Sequence, residues 1–183
     1  TNKNFDSILD LKNNANTNIN FLIMEFGSLT FSQIETLKDV LHWTREFHQH
    51  LSQCLFHCAD KNMEERARMI LAYLSDHEKA LTKVVSGFET SGDEHALNTW
   101  CYEYVAKHPI VRHAHCDAPF AELDTTQIME VIVDQHQQVI ELYRYLASRA
   151  EIPSAKELME SPQSLEEHEM MRMAQSVNRC RLI

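Results

Sequence analysis

The chain has 183 residues, 44% of them hydrophobic, and a net charge of −10 with histidine neutral. That length supports one domain with a sizeable core. The acidic balance, with no basic stripe interleaved with aromatics, argues against nucleic acid and anionic membranes as partners.

Only three glycines occur (Gly27, Gly87 and Gly92), so no Gly-rich nucleotide cradle, P-loop or G-x-S-x-G elbow can be written. Cys54, Cys58, Cys101, Cys116 and Cys180 are an odd set without a C-x-x-C and are expected as reduced thiols. No apolar run approaches the roughly 18–20 residues that span a bilayer, and no charged-then-apolar signal opens the chain; the expected location is cytoplasmic.

In chain order, residues 1–28 are Asn-rich and end in Glu25-Phe26-Gly27-Ser28, dipeptides that common cloning sites encode. They read as a native flexible arm or a cloning-derived segment, which leaves 29–183 as a single helical domain. The first long helix is expected from about Ser32 to Asp60, with Ser32 and Glu35 as a capping box. Its inner stripe is Leu37, Val40, Thr44, Phe47, Leu51, Cys54 and Cys58. After a turn near Lys61, a second helix is expected from Met63 to Phe88, with Met63, Ala67, Ile70, Leu74, His77, Leu81, Val84 and Phe88 inward.

A shorter helix is expected from Asp93 to Lys107, with Leu97, Trp100, Tyr104 and Val105 inward, stopped by His108-Pro109. The next runs from about Thr125 to Ala150 on a stripe of Ile128, Ile132, His136, Val139, Tyr143 and Leu146. Pro153 ends it, and a last helix from Ser154 to Arg179 meets Pro162, which should kink or split it. Short turns make each long pair antiparallel, so the predicted fold is all-α, two helical hairpins forming a four-helix bundle with a short extra helix.

Leu74-Ser75-Asp76-His77-Glu78 is echoed by Leu165-Glu166-Glu167-His168-Glu169. Counted from the hairpin turns, His77, His136, His168 and the stretch Glu46 to His48 fall at one level, roughly 24 Å from the turns. His77 and His136 lie on stripes otherwise made of aliphatic and aromatic residues. A neutral imidazole buried there needs hydrogen-bond partners or costs roughly 1–3 kcal/mol. Either each bonds a neighbouring carboxylate or carbonyl, or they ligate a metal with Glu46, Glu78, Glu167 or Glu169 supplying oxygen. The candidate metal ligands are His77, His136, His168, Glu46 and Glu169.

With His and Glu inward on the second and fourth long helices of two similar hairpins, the chain from Leu29 onward resembles the ferritin-like superfamily. The resemblance implies non-haem iron, or a similar divalent metal, used for ferroxidase or oxygen-activating chemistry. His77 and His168, with Asp76 and Glu167 beside them, are the residues that would carry over. The sequence departs from the family pattern in having no Glu-x-x-His; Asp39-Val40-Leu41-His42 is the nearest equivalent, on the first helix. His42-Trp43-Thr44-Arg45-Glu46 also resembles the His-x-x-x-Glu of hemerythrin-like bundles, although no His-x-x-x-His accompanies it.

Two functions are therefore open. One is a metal-binding redox or storage protein. The other is a metal-free helical module that binds a partner protein or assembles as a homo-oligomer, its histidines satisfied within the core. A small apolar ligand between the helices is a third reading.

Overall fold

The computed structural model describes residues 34–101 and 119–180, the last three by backbone alone. The described residues are mostly helical, with one isolated antiparallel bridge between Thr36 and Trp100 and no strand among them. Four long helices, α1 (Leu37–Ala59), α2 (Glu65–Ser91), α4 (Thr125–Arg149) and α5 (Pro153–Cys180), are accompanied by the one-turn α3 (Glu94–Leu97) and a 3-10 turn at Pro119–Ala121. No described helix is long and apolar enough to cross a membrane.

Helix α1 starts four residues later than the Ser32–Glu35 pattern suggests. The N-cap is Thr36, whose side chain accepts from the Asp39 N–H while Asp39 accepts from the Thr36 N–H, a complete capping box. The expected stripe of α1 is buried in full, and so is that of α4. Helix α4 is capped the same way, by Asp124 with Gln127.

The face of α2 is turned by about one residue from the expected one. Ala67, Ile70, Leu74 and Leu81 are buried, but Glu78 replaces His77 and Val85 replaces Val84, which is 43% exposed. Met63 is 92% exposed at the turn. The helix continues through Gly87 to Ser91, because a lone glycine costs a helix only about 1 kcal/mol. It ends at Gly92, where a Cβ would sit 2.9 Å from the Phe88 carbonyl oxygen and 3.1 Å from Leu158.

Helix α5 runs unbroken through Pro162, which is buried. Trp100, expected inside, is 62% exposed and instead pairs by backbone with the start of α1. Tyr104 and Val105 lie outside the described residues. Cys54 is disulfide-bonded, which corrects the expectation of a reduced thiol at this position.

The connection within each hairpin is short, and α1 lies against α2 as α4 lies against α5. Cross-links at His42–Glu89, His48–Glu78 and Ser52–Ser75 fix α1 and α2 as antiparallel, since one number rises as the other falls. The hairpins meet through contacts of α2 with both α4 and α5. At one end the buried Asn62 side chain donates to the carbonyls of Phe120 (2.9 Å) and Leu123 (3.0 Å). The turn after α1 is thereby tied to the start of α4.

The two hairpins repeat each other at a constant offset of 88 residues. Thr36 and Asp39 recur as Asp124 and Gln127, His48-Gln49 as His136-Gln137, Ala59 as Ala147, Ala67 as Ala155, and Glu78 as Glu166. No insertion is needed anywhere along the four helices. The echo visible in the sequence, Leu74–Glu78 against Leu165–Glu169, sits at an offset of 91 and does not pair equivalent positions.

Candidate metal centre

Each long helix sends one ionisable side chain to the same interior point. His48 comes from α1, Glu78 from α2, His136 from α4 and Glu166 from α5, and all four side chains are 0% exposed. Their helical neighbours explain the placement. His48 follows Thr44 and precedes Leu51 on the buried stripe of α1, and His136 sits four residues from Ile132 and three from Val139. Glu78 likewise lies between Leu74 and Leu81 on α2.

The four groups close into a ring. His48 Nδ1 meets Glu78 Oε2, and His48 Nε2 meets Glu166 Oε1, each at 2.8 Å. His136 Nδ1 meets Glu166 Oε2, and His136 Nε2 meets Glu78 Oε1, also at 2.8 Å. Exchanging His48 with His136 and Glu78 with Glu166 maps this set of contacts onto itself. The imidazole centroids are 5.5 Å apart.

An ionised carboxylate only accepts hydrogen bonds, so in this arrangement all four ring nitrogens donate and both histidines are imidazolium. Burial works against that charge on His48, but the Glu166 charge and hydrogen bonds to both carboxylates outweigh it and hold its pKa up to about 9. For His136, burial is likewise overcome by the Glu78 charge and by hydrogen bonds to Glu166 and Glu78, and the pKa rises to about 10. Burial opposes ionisation of Glu78, yet His136 and His48 bring its pKa down to about 2. Glu166 is held well below the usual carboxylate range by His48 and His136 against the same burial penalty. Two positive and two negative charges leave the quartet neutral.

One divalent cation in place of the two imidazolium protons leaves the quartet just as neutral. His48, Glu78 and His136 each offer a ligand atom, all within 4.8 Å of one another, and could hold a metal ion. Two imidazoles with one carboxylate suit zinc or non-haem iron(II), depending on how many coordination positions stay open. Glu166 is the fourth group at the same point.

The sequence-derived ligand candidates are scattered around this centre. His136 lies within it. His77, one residue from Glu78, places its Nε2 2.9 Å from Glu169 Oε2 without hydrogen-bond alignment, and Glu169 is in turn bridged by Arg172. Burial, ahead of every other influence, holds the His77 pKa below its ordinary value. This pair links α2 to α5 beside the quartet without entering it. His168 is exposed, and Glu46 lies half-exposed 3.5 Å from Arg45. His48, Glu78 and Glu166 fall outside the candidate set, Glu78 having entered only as one possible oxygen donor. The signal for them was the His-Gln dipeptide repeated at 88 residues, which aligns the hairpins and pairs Glu78 with Glu166.

No family model, curated protein or solved structure matches this chain.

Proposed function

We propose that the protein is a ferritin-like four-helix bundle that binds a divalent non-haem metal, iron or a similar ion, through His48, Glu78 and His136 with Glu166 beside them, for redox or storage chemistry. The observation that carries this reading is the quartet, four ionisable side chains drawn from four helices into a dry core, each imidazole 2.8 Å from both carboxylates. Stability gives no reason for such a group, because well-packed apolar residues in place of a buried ion-pair network are commonly neutral or stabilising. The chain's own part would be to fix two imidazole nitrogens and a carboxylate at one point, exclude water, and give up two protons as the ion enters. A bound metal would supply Lewis acidity or one-electron chemistry there.

Anaerobic reconstitution with iron(II), manganese(II) or zinc(II), followed by metal analysis, tests the reading. About one equivalent per chain is expected from a single three-ligand site, falling in the His48→Ala and His136→Ala variants. Less than about 0.2 equivalents of every ion in the unaltered protein would end it.

A second reading rests on the same ring. Since every ring nitrogen already has a carboxylate partner, protons alone complete the quartet, and it would then be a buried lock in a metal-free interaction or self-assembly module. Unaltered protein that takes up no metal but keeps its fold supports that alternative.

A further inference from the structure

The 88-residue repeat is symmetric at the quartet but not beside it. Tyr143 on α4 occupies the position of Leu55 on α1, and Thr44 on α1 occupies the position of Ile132 on α4. All four are 0% exposed. Because the end of α1 adjoins the start of α4, and His48 and His136 meet midway, α1 and α4 run in opposite directions. Tyr143 and Thr44 therefore share one flank of the quartet, and Leu55 and Ile132 share the other. One flank carries two hydroxyls; the other carries only hydrocarbon.

The hydroxyl flank is also the one with an unfilled requirement. The Tyr143 hydroxyl is buried and has no hydrogen-bond partner. The Thr44 hydroxyl gives its own proton to the Val40 carbonyl at 2.9 Å and lies near enough to lower the phenol's pKa as a hydrogen-bond partner does, but the pair falls outside ordinary hydrogen-bond geometry. Burial, and after it the charge of Glu166, keep the phenol protonated and so available as a donor. An unpaired buried hydroxyl is a net cost to the fold, and a leucine like its counterpart would avoid it.

Resting on the metal-binding reading above, we propose that Tyr143 and Glu166 frame a subsite for a small oxygen ligand of the metal held by His48, Glu78 and His136. Tyr143 donates a hydrogen bond to the ligand and Glu166 accepts one from it. The ligand class is water or a molecule of about its size, with Thr44 Oγ as a further acceptor. On the opposite flank Leu55 and Ile132 offer nothing to such a ligand, so it binds on one side only.

The test uses the full chain loaded anaerobically with iron(II) and nitric oxide as the probe, a neutral diatomic that only accepts hydrogen bonds. In Tyr143→Phe the iron content and thermal midpoint are expected to hold, nitric oxide to bind about fivefold more weakly, and the N–O stretch to rise as the hydrogen bond is lost. Leu55→Met, a volume-conserving change on the other flank, should move neither readout. Equal nitric oxide affinity and stretch in Tyr143→Phe and the unaltered protein, with iron bound in both, overturns this inference alone. A clear fall in the Tyr143→Phe thermal midpoint also overturns it, since the hydroxyl would then have a structural partner. Failure of the unaltered protein to bind iron overturns it together with the metal-binding reading.

Discussion

The hairpin α1–α2 is fastened by small polar side chains where α4–α5 is not. Ser52 Oγ donates to the Ser75 carbonyl at 2.9 Å, and Ser75 Oγ returns the bond to the Ser52 carbonyl at 2.8 Å. The equivalent residues are Ile140, which packs as hydrocarbon, and Gln163, which turns to Glu167 instead. Helices α1 and α2 also pack more closely together than α4 and α5 do. At this offset the two halves agree in the capping boxes of α1 and α4, in a His-Gln pair, in two alanines and in one buried glutamate, and differ at most other positions. What is shared therefore marks what the centre requires, and what differs marks where each half has its own task.

The strongest way to break the equivalence of the halves is at the ring. Removing one partner, as in His48→Ala or His136→Ala, strands buried carboxylate charge and should cost about 3–5 kcal/mol in the metal-free protein. The two variants should agree within roughly 1 kcal/mol by urea denaturation, given the symmetric contacts. A wide gap would show that one hairpin carries the quartet.

Next comes pH. His48 and His136 have pKa values raised to about 9 and about 10 from 6.5, so the stability they contribute is complete below pH 6.5 and is lost as pH climbs through 9 and 10. Glu78, lowered from 4.5 to about 2, contributes stability that is complete above pH 4.5 and is lost as pH falls towards 2. Metal-free protein should therefore resist urea best between about pH 4.5 and 6.5, and His136→Leu paired with Glu166→Leu should flatten the alkaline limb. Metal uptake at neutral pH should release about two protons per ion, read in weakly buffered solution.

A smaller comparison concerns the caps. Thr36→Ala and Asp124→Ala remove equivalent capping side chains and should each cost about 1 kcal/mol. The Asp124 change should cost somewhat more, because its carboxylate accepts from two backbone N–H groups, at 2.8 and 2.9 Å, and sits at a helix N-terminus. Equal thermal midpoints for the two variants would deny that difference.

Much of the helix layout was legible from apolar spacing alone. The stripes of α1 and α4, the hairpin turns and the depth of the polar level along the helices all follow from it. The face of α2 was not, because Leu74 is followed by His77 at three residues and Glu78 at four, and both spacings suit a helix. A neutral imidazole is the cheaper group to bury by itself, which favours His77. The structure buries Glu78 because two histidines from other helices neutralise it, and that compensation is a tertiary fact no local pattern carries. Glu166 was obscured in the same way by the neighbouring Glu167-His168-Glu169. Pro162, which favoured a broken helix, sits one turn before Glu166 in an unbroken one.

The constant 88-residue register makes the protein sensitive to residue number in a way that substitutions do not reveal. Each quartet residue sits about twelve residues beyond the start of its helix, and each residue added or lost in that span turns everything after it by about 100°. A single-codon deletion between Leu37 and His48, or between Pro153 and Glu166, would swing an imidazole or a carboxylate out of the ring while leaving every remaining side chain chemically unchanged. A change of length should therefore be tolerated only in the connecting segments, and the helices between cap and quartet act as fixed-length rulers.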